Sequence, residues 1–236
     1  MKNPKLQLLI HGKDLKGSEV IANKPGLKIL KVNNADSPNY LFVDCEIAEN
    51  ALAGSYPIDI KKGNKTIHHI DYKLEARTPN SANRPSYTTK DVIYLITPDR
   101  FANGDPSNDA APGFREPNPA RNEMYGRHGG DLKGIIDRLP YLHDMGFTAI
   151  WNLPVQTNDQ AKESYHGYAI TDHYAIDPRF GTNEDYKNLA LKAGQKGIKI
   201  IMDVVLNHCG DGHWWMKDFP FKDWINFDGK FVSTTH

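Results

Sequence analysis

What this sequence lacks is imbalance. Across 236 residues, 29 Lys and Arg are matched by 29 Asp and Glu. Nucleic-acid binders usually carry a basic face, and zero net charge argues against one. Cysteine is scarce: Cys45 and Cys209 are the only two. They lie far apart and form no disulfide framework, and they say little about compartment. No run approaches 18 apolar residues, so no membrane span is expected. The opening "MKNPKLQLLIHGKDL" has too short an apolar core for a signal peptide, while a leader ahead of this numbering stays open. Glutamate is absent after Glu184, and that absence bears on chemistry below.

What is present divides along the chain. Residues 1–76 hold "KLQLLIHG", "LKILKV", "NYLFVDCEI", "YPIDI" and "KTIHHIDYKLEA", separated by Gly, Pro, Asn and Asp. Short strands at this spacing predict a small β-sandwich. "KKGNK" (61–65) is a hairpin signal. His68 and His69 are adjacent, so a strand would point them to opposite faces; they read as ordinary strand residues. Residues 77–90, "RTPNSANRPSYTTK", are polar with two prolines, the composition of a linker.

A different pattern runs from 91 to 208. "DVIYLITP" (91–98) and "FTAIWNLPV" (147–155) read as buried strands. Between them Leu132, Ile135, Ile136, Leu139, Leu142 and Met145 follow helical spacing. Pro140 either kinks that helix or restarts it from its first turn. Thr182 and Asp185 make a capping box for a further helix, closed by Gly197. "GIKIIMDVVLNH" (197–208) then reads as a third strand, apolar on both faces as in a buried parallel sheet. Alternating strands and helices predict a parallel α/β fold. Doubly wound sheets and barrels both fit, and the long loops after each strand favour a (β/α)8 TIM barrel. Only 146 residues remain from Asp91, against about 250 for a full barrel. The expected fold is therefore α/β: an N-terminal β-sandwich followed by the first strands of a TIM barrel, truncated, with residues 209–236 beginning an inserted domain.

Three constellations could carry chemistry. "NGDPSND" (103–109) puts the oxygen side chains of Asn103, Asp105, Asn108 and Asp109 into seven residues. "GGD" could return Gly129 and Asp131 to the same place. Hard cations such as Ca²⁺ take this donor type, although Asn, Asp, Gly and Pro also make plain turns. "SYHGYAITDHY" (164–174) crowds Tyr165, His166, Tyr168, Asp172, His173 and Tyr174 into one loop. Such rings can stack on sugars or bases, or pack on one another. "HWWMKDFPFKDWINF" (213–227) holds Trp214, Trp215, Phe219, Phe221, Trp224 and Phe227. Those aromatics either line a cleft or form the core of an inserted subdomain, and the core is the reading preferred for most of them. At the end of the third strand, Asp203, Asn207 and His208 either cap the strand or stand where barrels place chemistry.

Taken together, "DVIYLITPDRFANGDPSND", "HGGDLKGIIDRLPYLHDMGFTAIW", "YHGYAITDHYAIDPRFGT" and "DVVLNH" resemble the α-amylase family of glycoside hydrolases in order and spacing. Within it, the likeness is to the neopullulanase, cyclomaltodextrinase and maltogenic amylase group, which carries an N-terminal β-sandwich and "HWWMKD"-like segments. The resemblance is strong over about residues 88–230 and weak before them. It implies a retaining hydrolase acting on α-1,4 bonds of maltooligosaccharides, pullulan or cyclodextrins. It assigns Asn103, Asp105, Asn108, Asp109, Gly129 and Asp131 to a calcium site. It assigns His166, Tyr168 and His208 to the sugar, with Tyr168 stacking beneath it, and Asp203 and Asn207 to the floor of the site. The likeness to periplasmic neopullulanases implies that compartment, with a cytoplasmic home as the alternative, and a homodimer through the N-terminal domain stays open. "WNLP" (151–154) departs from the group by placing Asn152 where an apolar residue is usual. The catalytic carboxylates of the family follow strands four, five and seven, which this chain does not reach. The implied parent is thus a longer enzyme, and the chain alone is expected to be inactive. A non-catalytic glucan-binding or interaction module is the alternative. A family transferase or isomerase is a third reading, which the sandwich and "HWWMKD" oppose.

Overall fold

The computed structural model describes residues 3–230 and 232–233. They form two compact units, one holding the chain up to Arg84 together with residues from Asp218 on, the other Pro85–Lys217.

The first unit is a β-sandwich. Its strands are β1 (Lys5–His11), β2 (Glu19–Ala22), β3 (Leu27–Asn34), β4 (Tyr40–Ile47), β5 (Gly54–Lys62) and β6 (Lys65–Leu74). β4 lies between β1 and β3, and β5 between β2 and β6, all antiparallel. Period-two alternation buries Leu41, Val43, Cys45 and Ile47 on β4 and Tyr56, Ile58 and Ile60 on β5. These join Ile10, Leu15, Val20 and Leu27 in one core, as two stacked sheets require. Residues 63–64 make the two-residue hairpin loop between β5 and β6. His68 and His69 are both exposed, since a bulge at Ile60/Lys61 interrupts the alternation.

The aromatic segment does not build a subdomain of its own. Pro220 O accepts from the backbone N–H groups of Asp36 and Ser37 at 3.0 and 3.2 Å. Asn39 Nδ2 donates to Asp218 Oδ2 at 2.8 Å, and the Tyr40 hydroxyl donates to Asp218 O. Phe221 stacks on Phe42 at 5.4 Å, with Trp224 edge-on at 6.2 Å. Residues from Asp218 on therefore belong to the sandwich unit, whereas Trp214 and Trp215 stay with the second. The preferred expectation of a separate aromatic core is corrected: Trp214, Trp224 and Phe227 are exposed, Phe227 by 58%.

The second unit contains β7 (Ile93–Ile96), α1 (Pro98–Phe101), α2 (Leu132–Asp137), α3 (Leu139–Asp144), β8 (Ala149–Asn152), β9 (Gln156–Thr157), β10 (Asp172–Ile176), α4 (Asn183–Gln195) and β11 (Lys199–Met202). β8 is the central strand of a parallel sheet, flanked by β7 and β11. β9 and β10 form a small antiparallel pair. One sheet face, with Ile96 and Ile150, packs against Leu132, Ile135, Leu139 and Leu142 of α2 and α3 and Leu189 and Ala193 of α4. On the other face Leu95 and Trp151 are exposed by 54% and 41%. These are the first strands and helices of a TIM barrel, and the barrel is not closed.

Local signals hold closely. The helix restarts at Pro140, in the first turn of α3. Thr182 caps α4: its Oγ1 accepts from Asp185 N, and the Asp185 carboxylate accepts from Thr182 N. The third strand is shorter than expected and is not buried on both faces. β11 ends at Met202, and Leu206 is 89% exposed. β8, its sole partner among the described residues, ends at Asn152, and Pro154 just beyond lacks the N–H to extend the ladder.

Candidate functional site

The loops at the carboxyl ends of β7, β8 and β11 collect the residues singled out in the sequence. Asp203 follows β11. Its Oδ2 accepts from the Trp151 indole N–H and from the Tyr168 hydroxyl, both at 3.2 Å. Gln156 Nε2 reaches Asp203 O at 3.4 Å. His208 Nε2 lies 2.9 Å from Tyr168 O. A carbonyl only accepts, so Nε2 carries the proton, which leaves Nδ1 to accept from Asn207 Nδ2 at 3.3 Å. His166 Nδ1 accepts from Tyr168 N at 2.9 Å, and its ring stacks against Tyr168 with centroids 5.7 Å apart. The structure thus brings His166, Tyr168, Asp203, Asn207 and His208 into one cluster.

Electrostatics suit neutral recognition there. Burial pushes the Tyr168 hydroxyl up, helped by the Asp203 charge, so it stays a neutral donor. Burial also pushes His166 down from its ordinary value, which keeps Nδ1 free to accept. Partly exposed aromatic rings with fixed neutral donors suit the hydroxylated face of a sugar. Trp151 and Gln156 are members that sequence reasoning missed. Their one signal was position: large or polar groups at the carboxyl end of a strand.

A second cluster gathers Asn103, Asp105, Asn108, Asp109, Gly129 and Asp131. The Asp131 carboxylate accepts from Gly104 N, Asp105 N and Gly134 N at 2.6–3.1 Å, so it caps α2 and fastens the loop. Asp105 caps its own turn through Ser107 N and Oγ, which lowers its pKa. Asp109 accepts from Asn103 Nδ2 at 2.6 Å and pairs with Arg121 at 3.0 Å. The Oδ1 atoms of Asn103 and Asn108 are buried without a partner. Gly129 has φ 85°, and a Cβ there would sit 2.6 Å from Asp109 Oδ1. Among the described residues no three His, Cys, Asp or Glu side chains converge as a metal cluster. What fits a hard cation is the two orphaned amide oxygens of Asn103 and Asn108; Asp105 and Asp131 are committed to backbone N–H groups, and Asp109 to Asn103 Nδ2 and Arg121.

A third network was not foreseen. Arg179 and Asp177 are fully buried and paired in bidentate geometry, Nε–Oδ1 at 2.8 Å and Nη2–Oδ2 at 2.7 Å. Arg179 also donates to Glu116 O and Asn158 O, each at 2.8 Å. Arg127, equally buried, lies over Phe180 and 3.7 Å from Asp99. Burial lowers its pKa, with Arg179 adding like-charge repulsion. Ser164 N donates to Glu116 Oε2 at 2.8 Å. Together these bonds hold the long loops after β7 and β9 against the turn after β10.

With this geometry in place, comparison with known proteins is decisive. Residues 95–228 match the family model of the alpha amylase catalytic domain. The chain belongs to the α-amylase family. Its residues 1–78 match the cyclomaltodextrinase N-terminal domain, in agreement with the sandwich. Neopullulanase 2 of Thermoactinomyces vulgaris is 42% identical over 158 residues, covering 64% of this chain and 26% of that protein. A cyclomaltodextrinase of Thermoanaerobacter pseudethanolicus is 38% identical, covering 60% of this chain and 25% of its own. The intracellular maltogenic amylase of Bacillus subtilis is 32% identical over 201 residues, covering 79% and 32%. The chain therefore spans about a quarter to a third of these relatives. No helix among the described residues is long and apolar enough to cross a membrane.

Proposed function

We propose that this chain supplies the first part of a retaining α-glucan hydrolase that cleaves α-1,4 bonds of maltooligosaccharides, pullulan or cyclodextrins. The observation that carries the reading is the Tyr168–Asp203–His208 cluster at the strand ends of an α-amylase family sheet. In this role Tyr168 stacks beneath one glucose ring, and His208 and His166 face its hydroxyls. Asp203 holds the floor by accepting from Trp151 and Tyr168. Asn207 keeps His208 in its tautomer. Calcium, if bound, would be held by the side-chain oxygens of Asn103 and Asn108, with Asp109 and Gly129 beside them, and would cross-link the loop. Asp105 and Asp131 shape that loop. The resemblance to periplasmic neopullulanases supports a periplasmic home.

Hydrolysis with retention needs a carboxylate nucleophile and a carboxylic acid flanking the bond. Among the described residues, the carboxylate that touches Tyr168 is that of Asp203, and its Oδ2 already accepts two hydrogen bonds. That observation favours a second reading for the chain by itself, a module that binds glucan without cleaving it. Titration calorimetry with maltotetraose, followed by reducing-sugar assays on pullulan and cyclodextrin, tests both. The expected result is saturable binding, lost in Tyr168→Ala, with no sugar released. Release of reducing sugar by the pure 236-residue chain would overturn the assignment of catalysis to residues beyond it. Intact mass of the natural protein in its source cells separates the readings further. A mass more than twice 26.6 kDa supports the enzyme, and a mass near that value supports the binding module.

A further inference from the structure

We propose that Trp151 is a positioning residue for glucan binding: acting through Asp203, its indole N–H holds the Tyr168 ring at the angle that stacks on sugar. The inference rests on the reading of Tyr168 as a sugar platform and deepens it. The Tyr168 backbone is held twice, by His166 Nδ1 on its N–H and by His208 on its carbonyl. Gly167 before it has φ 81° and approaches so closely that a Cβ would sit 2.1 Å from Pro154 O. Those contacts place the Cα, and the His166 ring lies along one face of the Tyr168 ring with centroids 5.7 Å apart. The far end of the ring is held by a single bond, from the hydroxyl to Asp203 Oδ2.

Asp203 is a poor anchor alone. It lies past the end of β11, the edge strand of the sheet. Trp151 is different. It sits on β8, the central strand, between the fully buried Ile150 and Asn152. Its indole N–H meets the same carboxylate oxygen at 3.2 Å. Of the three side chains, only that of Trp151 is carried by a strand framed on both sides. Its donor prevents the carboxylate from rotating, and the carboxylate in turn fixes the hydroxyl. Residues 52 and 35 positions away along the chain from Asp203 are thereby coupled at one atom.

The test is a double-mutant cycle on maltotetraose binding by the 236-residue chain, using Trp151→Phe, Tyr168→Phe and the pair. Trp151→Phe keeps an aromatic ring and removes the donor together with part of the ring's volume. It is expected to weaken binding by roughly tenfold, the worth of one hydrogen bond to a charged group. In the Tyr168→Phe background, where no hydroxyl remains to be held, it should weaken binding by less than about twofold. Independent, additive losses would mean that Trp151 packs or touches sugar directly, and would overturn the proposal. A second readout needs no sugar: in NMR spectra, Trp151→Phe and Asp203→Ala should displace the Tyr168 ring resonances alike. Unmoved resonances would overturn the proposal on their own. Absence of maltotetraose binding by the unmodified chain would instead sink the glucan reading, with the ring resonances still deciding the coupling.

Discussion

Lys199 Nζ lies 2.7 Å from Asp91 Oδ2, tying the first residue of β11 to the turn that leads into β7. Thr148, just before β8, donates to the same carboxylate at 2.8 Å, and Thr88 N at 2.6 Å. One carboxylate thus fastens the amino ends of all three parallel strands. The Lys199 hydrogen bond leads in holding Asp91 down at about 2, well below its ordinary 3.8. A depressed carboxylate stabilises the fold above its unfolded pKa, and that contribution is lost as pH falls through the folded value. Urea midpoints should therefore fall between about pH 4 and pH 2. Lys199→Met should raise the Asp91 pKa and make that part of the fall shallower; an unchanged acid limb would exclude the coupling.

Arg179 and Asp177 carry a larger prediction, because both are fully buried. Arg179→Met leaves the Asp177 carboxylate buried with only the N–H groups of Asn158 and Arg179 itself for partners. Removing one member of a buried pair costs about 3–5 kcal/mol. Adding Asp177→Leu should recover part of that loss, measured by chemical denaturation as a coupling between the two sites. A double variant as unstable as the sum of the singles would show that the pair itself contributes nothing.

Asn152 should be better replaced than kept, as far as stability is concerned. It is 1% exposed, and both its amide nitrogen and oxygen lack partners. An unsatisfied buried polar group costs about 1–3 kcal/mol. Asn152→Leu removes both unpartnered groups and should raise the unfolding free energy by about 1 kcal/mol. A variant less stable than the parent chain would mean that the amide is bonded after all.

The calcium proposal is checked by melting. If the loop holds Ca²⁺, adding the ion at a hundred times its dissociation constant should stabilise by about 2.7 kcal/mol. The orphaned oxygens of Asn103 and Asn108 make the double alanine variant the informative control. An equal gain in melting temperature in that variant would place the ion elsewhere.

Much was legible in the linear pattern, and the legible part is local. The capping box at Thr182 and Asp185, the restart at Pro140, the hairpin at residues 63–64 and the alternation in β4 and β5 all follow from contacts within a few residues. So does the gathering of "NGDPSND" into one loop. The length from Asp91 also determined that no full barrel could form from this stretch alone.

Tertiary structure decided the rest, because it depends on which distant groups share an atom or a neighbour. Asp105, Asp109 and Asp131 look equivalent in sequence, yet Asp105 and Asp131 are occupied by backbone N–H groups and Asp109 by Asn103 and Arg121, while Asn103 and Asn108 keep unpartnered oxygens. Trp151 and Tyr168 meet only through Asp203, and the bidentate Arg179–Asp177 pair earns its buried place only once loops after three different strands close over it. The aromatic segment after His213 divides between two units because Asp218, Pro220 and Phe221 find their partners on the sandwich strands. By itself, the sequence determined the elements, the family and the candidate residues. Only the folded arrangement decided what each side chain is bonded to, since burial and hydrogen bonding are properties of neighbours in space, not of order along the chain.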